Sequence, residues 1–172
     1  MRKIILVGYM GSGKTTIGKL LSEKLQLPFF DLDDLIENET QNTISQIFAE
    51  QGEIKFRKIE HTVLNQFIDS NDEFVLSLGG GTPCYANNHL LLQRDDVFSV
   101  YLKTSISELV SRLQKEKKHR PIIANLSDSE IDEFIAKHLF DRSYFYNQSK
   151  TIVSVDGKLP LEIVNEIVEK LA

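Results

Sequence analysis

The stretch Gly8-Tyr9-Met10-Gly11-Ser12-Gly13-Lys14-Thr15 decides the fold of this chain, because it matches the pattern G-x-x-x-x-G-K-[ST] in full. The apolar run Ile4–Val7 precedes it, and a helix-like stretch over 16–21 follows it. Glycines let the backbone turn around an anion, and a helix N-terminus attracts phosphate. The context therefore predicts a strand, a phosphate-binding loop (P-loop) and a helix that bind a nucleoside triphosphate. A plain glycine-rich turn is the weaker alternative.

Two side chains of this loop have chemistry of their own. The Lys14 ammonium supplies a positive charge for the β- and γ-phosphates. The Thr15 hydroxyl is an oxygen ligand of the kind that Mg²⁺ prefers. The stretch therefore predicts ATP-type binding together with a magnesium ion.

Composition limits the remaining possibilities. The 172 residues fit one domain, 1–172, and the net charge of −5 argues against nucleic acid as the main partner. The single Cys84 excludes an internal disulfide, and the four histidines have no metal-ligand spacing, so we expect them to be exposed. No apolar run is long enough for a signal peptide or a membrane span. We expect a soluble, cytoplasmic protein without a membrane partner.

Short apolar runs alternate with helical patterns along the chain, which is typical of a parallel sheet. Strands are predicted at Lys3–Val7, Phe29–Asp31, Phe74–Leu78, Phe98–Leu102 and Thr151–Val155. Helices are predicted at Lys14–Lys24, Asp34–Thr40, Ile44–Glu50, Glu53–Ser70, Asn88–Gln93, Ser107–Gln114, Asp128–Tyr146 and Pro160–Leu171. Capping boxes mark Thr43 with Gln46, Ser105 with Glu108, and Ser127 with Glu130. The pattern predicts a three-layer α/β/α fold with its ligands beyond the carboxyl ends of five parallel strands.

Acidic residues follow the second predicted strand. In extended backbone, Asp31 and Asp33 share one face, about 6–7 Å apart. One carboxylate is suited to orient a magnesium-bound water, and the other to accept a proton from an attacking hydroxyl. The alternative is that Asp33 or Asp34 caps the next helix. No acidic residue follows the third strand, so Asp31 is the candidate magnesium ligand there.

Glycines and arginines form the other candidates. Gly79, Gly80 and Gly81 predict a loop that lets backbone approach a ligand, although a tight turn would also suffice. Arg57 fits a surface ion pair with Glu53 and with Glu60 or His61, and the sequence does not decide its role. Arg120 ends a basic run that is either a solvated helix end or a phosphate-covering loop, and Arg142 fits a helix C-terminal charge.

Taken together, these segments resemble the shikimate kinase family, within the nucleoside-monophosphate-kinase-like P-loop fold, over about residues 3–172. Its motifs occur in the family's order: GYMGSGKTTIG at 8–18, D-x-D at Asp31 and Asp33, F-R-x-x-E at Phe56–Glu60, L-G-G-G at Leu78–Gly81, R-P at Arg120-Pro121, R-x-x-x-Y at Arg142 and Tyr146, and V-D-x-x-x-P at Val155–Pro160. Each later motif is common by itself, but their joint occurrence at consistent spacing is specific.

The resemblance implies Mg²⁺-dependent transfer of the ATP γ-phosphoryl group to the 3-hydroxyl of shikimate. It implies a substrate-binding segment at about 31–61, a mobile lid at about 113–125, and a monomer. The implied catalytic residues are Lys14, Asp33 as the base, and Arg120. The implied ATP-binding residues are Gly11, Ser12, Gly13, Lys14, Thr15, Thr16, Arg112 and Arg120. Shikimate contacts are implied for Asp33, Arg57, Gly79, Gly80, Gly81 and Arg142, and magnesium contacts for Thr15 and, through water, Asp31.

The chain departs from the family pattern at three places. Tyr144 stands where proline is frequent, the lid has Ile122 and Ile123 in place of two leucines, and Thr82-Pro83-Cys84 follows the triple glycine where Ala-Val is frequent. None of these changes removes a charged site residue. Two alternatives stay open: a P-loop kinase of another small acceptor, such as a nucleoside monophosphate or a gluconate-like acid, and a nucleotide-binding module without catalysis.

Overall fold

A computed structural model describes residues 2–172 and contains one five-stranded sheet. The strands are β1 (Lys3–Val7), β2 (Phe29–Asp31), β3 (Phe74–Ser77), β4 (Val97–Lys103) and β5 (Thr151–Ser154). They lie in the order β2-β3-β1-β4-β5, and every neighbouring pair is parallel. This confirms the predicted parallel sheet, with boundary differences of one residue or two.

Six α-helices cover the sheet. They are α1 (Lys14–Leu25), α2 (Leu32–Thr40), α3 (Ile44–Ser70), α4 (Ile106–Glu116), α5 (Asp128–Tyr146) and α6 (Pro160–Leu171). Gly52 interrupts α3 with a φ of 79°, so the break predicted between two helices is present within this element. Asn88–Gln93, predicted as a helix, forms a 3₁₀ helix, and shorter 3₁₀ turns occur at Thr82–Cys84 and Lys117–His119. Among residues 2–172, no helix has the length and apolar content to cross a membrane.

The core has two layers, one on each face of the sheet. Ile5 and Val7 of β1 belong to the layer formed with α2 to α5. Ile4 and Leu6 point the other way, into the layer formed with α1 and α6. Successive side chains of a strand alternate between faces, so this short apolar run contributes to both layers. The arrangement confirms the three-layer α/β/α prediction.

The helix-start signals are confirmed at two of three places. Thr43 and Ser127 form complete capping boxes with Gln46 and Glu130. At α4, Ser105 accepts a hydrogen bond from the Glu108 N–H, but the return bond is missing. The Glu108 carboxylate pairs with Arg112 instead, and the Ser105 N–H donates to Asp156. The start of α4 is therefore tied to the loop that follows β5.

The sheet register brings three loops to one edge. Ser77 at the end of β3 pairs with Leu6 of β1 and with Asp31 of β2. The loops after β1, β2 and β3 therefore emerge side by side. After β1 the chain turns into α1 through Gly13, whose φ of 93° lies in the left-handed region that favours glycine.

Candidate active site

A cavity of about 440 Å³ opens at the carboxyl ends of β1, β2 and β3. Both sides of the predicted site contribute to it. The P-loop supplies Met10, Gly11, Gly13, Lys14, Thr15 and Thr16; the other lining residues are Asp31, Asp33, Ser77, Leu78, Gly79, Gly80, Arg112, Glu116 and Arg120. The structure therefore brings most of the predicted phosphate-binding residues together with both aspartates, two of the glycines and two arginines.

Lys14 is held within the P-loop by backbone carbonyls. Its Nζ donates to the carbonyl oxygens of Gly8, at 2.7 Å, and Tyr9, at 3.1 Å. Burial lowers the pKa of Lys14 to about 8, although the nearby Asp31 charge opposes this shift. The ammonium is therefore oriented and partly desolvated, which strengthens its interaction with any anion that enters the cavity.

Ser12 does not reach the cavity. Its side chain is buried, and its Oγ has no hydrogen-bond partner among the described residues. Its N–H donates to the Tyr9 carbonyl oxygen at 3.1 Å. This geometry supports a role of Ser12 in shaping the loop, and it gives no support to a contact between its side chain and ATP.

The expectation of two aspartates on one extended strand was wrong. β2 ends at Asp31, and Asp33 lies in the first turn of α2. Asp31 caps this helix by accepting a hydrogen bond from the Asp33 N–H at 2.9 Å. The cap is therefore Asp31, not Asp33 or Asp34, and it fixes the Asp33 backbone while both carboxyl groups still line the cavity.

Both aspartates have raised pKa values. Burial, opposed by the Asp33 N–H hydrogen bond, raises the pKa of Asp31. For Asp33, burial first and then the charges of Asp31 and Glu60 raise the pKa to about 6. A carboxylate with this pKa is ionised at neutral pH and is more basic than an ordinary aspartate, as general-base catalysis requires.

The donors at this end of the cavity fit a hard cation. The Thr15 hydroxyl and the carboxylates of Asp31 and Asp33 are all oxygen ligands and line the same space. Within residues 2–172 no cluster of three or more acidic, histidine or cysteine side chains could hold a metal alone. Mg²⁺ is usually held by one or two protein ligands plus phosphate oxygens and water, so this donor set suits it.

The triple glycine lies directly against two arginines. A Cβ at Gly81 would lie 2.8 Å from Arg57 Nη2, and a Cβ at Gly80 would lie 3.4 Å from Arg142 Nη1. Gly79 faces the acidic side, because its Cβ would lie 3.8 Å from Asp33 Oδ1. Gly79 and Gly80 line the cavity, whereas Gly81, Arg57 and Arg142 lie beside it. Two guanidinium groups thus pack against this loop, and the interpretation as a plain tight turn is insufficient.

Arg57 forms an ion pair in the protein interior. Nη1 lies 2.9 Å from Glu60 Oε1, and Nε lies 3.7 Å from Glu53 Oε1, which confirms both predicted partners. The Arg57 side chain is only 16% exposed and that of Glu60 only 1%, so the surface-pair interpretation was wrong. A buried pair costs desolvation energy and is weak evidence for a purely stabilising role.

Arg142 reaches the same loop from α5. Its guanidinium carbon lies 5.6 Å from the centre of the Tyr9 ring, within cation–π range. Four residues later, Tyr146 is fully buried and its hydroxyl donates to the Gly80 carbonyl oxygen. One turn of α5 therefore contacts both the P-loop and the triple glycine, and a helix C-terminal charge does not account for it.

The remaining two arginines are paired with glutamates four residues earlier. Arg112 Nε lies 2.7 Å from Glu108, and its Nη1 donates to the Gly11 carbonyl oxygen at 3.1 Å. Arg120 contacts Glu116 at 2.7 Å and is 34% exposed. Both arginines line the cavity.

Two histidine contacts were not expected from the sequence. His138 Nδ1 lies 2.9 Å from the Tyr9 hydroxyl, and His61 Nδ1 lies 2.7 Å from Asn88 Oδ1. Burial lowers the pKa of His138, with Arg142 acting in the same direction. These two histidines are half-buried, not exposed as expected. The sequence did not predict their contacts, because their partners come from distant parts of the chain.

Comparison with known proteins identifies the family. The family model for shikimate kinase matches residues 10–172. The chain belongs to the shikimate kinase family. Among its relatives, a shikimate kinase from Flavobacterium psychrophilum is 56% identical over 167 residues, which cover 97% of each chain. Family membership makes the protein a kinase that transfers phosphate from ATP to a shikimate hydroxyl.

Solved structures agree with this assignment. The crystal structure of shikimate kinase from Bacteroides thetaiotaomicron superposes with a TM-score of 0.90 at 36% identity, covering 99% of this chain and 98% of that one. Shikimate kinase from Acinetobacter baumannii in complex with shikimate gives a TM-score of 0.86 at 31% identity, covering 99% and 93%. The P-loop kinase fold of this shikimate kinase family member is therefore confirmed.

Proposed function

We propose that this chain is a shikimate kinase that transfers the γ-phosphoryl group of ATP to the 3-hydroxyl of shikimate. The products are shikimate 3-phosphate and ADP, on the route to chorismate and the aromatic amino acids. The observation that carries this proposal is the approach of Arg57 and Arg142 to the Gly80–Gly81 backbone beside the P-loop cavity. Paired guanidinium groups are well suited to a small carboxylate.

The donor side is formed by the P-loop. Lys14 is oriented by two carbonyls and faces a cavity lined by Gly11, Gly13 and Thr15. Backbone N–H groups at the start of α1 favour the phosphates. Thr15 and, through water, Asp31 would hold Mg²⁺, which would neutralise phosphate charge when bound.

The acceptor side supplies a base and a clamp. Arg57 and Arg142 would hold the shikimate carboxylate, and the Gly79–Gly81 backbone would contact the substrate. The oxygen of the 3-hydroxyl would form a bond to the γ-phosphorus, and Asp33 would accept the proton that this hydroxyl loses. The bond from this phosphorus to the bridging oxygen breaks, and ADP leaves with that electron pair. The raised pKa of Asp33, about 6, supports the base assignment.

Two arginines would complete the site. Arg120 lies at the end of the basic segment 115–120 and faces the cavity, so it would neutralise charge on the transferring phosphoryl group. Arg112 borders the P-loop and would stack on adenine. The segment 113–125, which follows most of α4, would act as the lid, and 31–61 would be the substrate-binding segment.

An acceptor comparison tests the proposal. ADP release is measured with shikimate, with shikimate methyl ester, with gluconate and with AMP as acceptors, and phosphorus NMR identifies the phosphorylated position. We expect turnover with shikimate and no turnover with gluconate or AMP. The kcat/KM for the methyl ester should be at least about tenfold lower than for shikimate, since the ester lacks the negative charge that the arginines would bind. Failure to release ADP in response to shikimate contradicts the proposal.

A variant pair tests the clamp. Arg57→Ala should raise the shikimate KM by about 100-fold and leave the ATP affinity nearly unchanged. Arg94→Ala is the matched control, because Arg94 is also paired, with Asp69 and Asp96, but lies at the opposite end of the sheet. Monomeric state, cytoplasmic location and the lack of nucleic-acid or membrane partners stay predictions from the sequence.

A further inference from the structure

The segment after the triple glycine, Thr82-Pro83-Cys84-Tyr85, makes contacts that the acceptor clamp alone does not explain. Thr82–Cys84 forms a 3₁₀ turn, and the buried Thr82 hydroxyl donates to Glu60 Oε2 at 2.8 Å. The ring centre of Tyr85 lies 4.0 Å from the Arg57 guanidinium carbon. Thr82-Pro83-Cys84 is one of the three places at which the chain departs from the family pattern.

We propose that Thr82 and Tyr85 are positioning residues that fix the Arg57 guanidinium for the acceptor carboxylate; the inference rests on the proposed function. Thr82 acts through Glu60, and Tyr85 acts directly on the guanidinium group. Neither residue needs to touch shikimate. Their effect is on the orientation of Arg57, and therefore on acceptor affinity.

Glu60 connects Arg57 to Thr82. Its carboxylate is almost fully buried, with one oxygen on Arg57 and the other on Thr82. A buried carboxylate that loses a hydrogen bond rotates or draws its remaining partner closer, since it has no water to replace the bond. The Thr82 hydroxyl therefore keeps Glu60 Oε2 occupied and leaves Oε1 for a single Arg57 donor.

The pair with Glu60 uses only part of the hydrogen-bonding capacity of Arg57. Nη1 is engaged by Glu60, whereas Nη2 faces the backbone of Gly81. The buried Nε makes no hydrogen bond, and its distance of 3.7 Å to Glu53 is a charge contact only. A guanidinium group has five N–H donors, so the pair with Glu60 leaves donors for a carboxylate ligand.

Asn88 holds the turn at Thr82–Cys84 in place. Asn88 Nδ2 donates to the Thr82 carbonyl oxygen at 3.0 Å, and the Asn88 amide is itself held by His61 of α3. Thr82 is therefore fixed by its backbone as well as by its hydroxyl. The turn is therefore connected to α3 at two points, Glu60 and His61. Arg57 lies on the same helix.

Two aromatic rings lie close to the Arg57 guanidinium group. Tyr85 is 37% exposed, yet its ring lies against Arg57, and the Phe56 ring lies 5.1 Å from the same guanidinium carbon. When arginine stacks on an aromatic ring, the contact fixes the plane of its guanidinium group. A large ring that stays partly exposed gains little free energy from burial of its own apolar surface. The contact is better explained by orientation of Arg57.

The test compares isosteric variants in the full-length enzyme. Thr82→Val replaces the hydroxyl with a methyl group of similar size, and Thr82→Ser keeps the hydroxyl and removes the methyl group. We expect Thr82→Val to raise the shikimate KM by about tenfold and to change the ATP KM by less than about twofold. Thr82→Ser should keep the shikimate KM within about threefold of that of the original enzyme. Tyr85→Leu should raise the shikimate KM by about fivefold, whereas Tyr85→Phe keeps the ring and changes it less than about twofold.

A double-mutant cycle separates positioning from simple stabilisation. In an Arg57→Lys background, adding Thr82→Val should raise the shikimate KM by no more than about twofold, because the oriented guanidinium is already lost. Should Thr82→Val fail to fold, Tyr85→Leu with Arg57→Lys provides the same cycle. Variants that lower only the melting temperature and keep the shikimate KM overturn the inference. An unaltered enzyme without shikimate-dependent turnover overturns the proposed function, and the inference with it.

Discussion

Arg120 Nε and Nη2 both contact Glu116 Oε2, at 2.8 and 2.7 Å. The Arg120 side chain is 34% exposed and that of Glu116 is 49% exposed. Such exposed pairs contribute roughly 0–1 kcal/mol, so phosphate can displace the glutamate. Replacing Arg120 with Ala should lower kcat by about 100-fold or more, since a guanidinium that meets transition-state charge acts mainly on the chemical step. Steady-state kinetics measure kcat, and calorimetric titration should find ATP affinity changed by less than about tenfold.

The matched control is Glu116→Gln, which removes the partner charge and keeps the side-chain size. It should leave kcat within about threefold, because an exposed pair contributes little. An Arg120→Ala enzyme with kcat within about fivefold of the original would remove Arg120 from the catalytic set. Arg120→Lys should recover only part of the loss, since lysine lacks the planar pair of donors.

Asp33 is the second catalytic prediction. Asp33→Asn keeps the size of the side chain and removes its basicity, so kcat should fall by about 100- to 10,000-fold. The ATP affinity should change by only about threefold, since the proposed role of Asp33 is toward the acceptor and not toward ATP. Rapid-quench measurement of a single turnover reports the chemical step directly. A single-turnover rate equal to that of the original enzyme would assign the proton to another acceptor.

The stability of the metal-free protein should report the same residue. The pKa of Asp33 is raised from 3.8 to about 6, so the folded state binds this proton more tightly than the unfolded state. The free energy of unfolding therefore falls as pH rises from about 4 to about 6, and the loss persists above that. An asparagine side chain has no proton to lose, so the Asp33→Asn variant lacks this pH-dependent loss. Its free energy of unfolding should exceed that of the original protein by about 1–2 kcal/mol at pH 7 and should be similar to it at pH 4.

Differential scanning calorimetry in EDTA at pH 4, 5, 6 and 7 measures this difference. The melting temperatures of Asp33→Asn and the original protein should diverge across the interval and stay apart above it. A constant difference at all four pH values would contradict the raised pKa. Together with the kinetic result, a gain in stability with a loss of activity identifies a residue that is strained for function.

Local patterns were sufficient to predict the sheet and the P-loop. The apolar run Ile4–Val7 followed by G-x-x-x-x-G-K-[ST] predicts a strand, a turn and a helix from residues that are adjacent in the sequence. The observed β1 and α1 confirm this prediction. The parallel order also follows, because alternating strands and helices leave few topologies. Asp31 and Asp33 both line the cavity. The expected extended conformation was wrong, because Asp31 ends the strand as the cap of α2.

The acceptor side depends on contacts that local patterns do not encode. Arg57 looked like a surface residue from its spacing to Glu53 and Glu60, whereas its burial arises from the turn at Thr82–Tyr85. The contact of Tyr9 with His138 joins residues 129 positions apart. Such pairs are set by tertiary packing, so a single sequence gives no signal for them.

Gly81 has no room for a side chain beside Arg57. Its φ of −92° is open to any residue, so alanine there is not excluded by backbone conformation. Its Cβ would lie 2.8 Å from Arg57 Nη2 and 3.4 Å from Cζ, and the guanidinium would have to move away from the loop. Gly81→Ala should therefore raise the shikimate KM by about tenfold or more and leave ATP binding unchanged.

Gly18→Ala is the matched comparison, because it crowds the core instead of the site. Its Cβ would lie 2.3 Å from Phe29 Cε2 and 3.3 Å from Leu6 Cδ1, between α1 and the sheet. Overpacking of this kind costs about 1–3 kcal/mol, so the melting temperature should fall while the shikimate KM stays the same. Gly81→Ala should thus change the shikimate KM, and Gly18→Ala should change the melting temperature. A Gly81→Ala enzyme with a lower melting temperature and an unchanged shikimate KM would mean that Arg57 can be displaced without loss of acceptor binding.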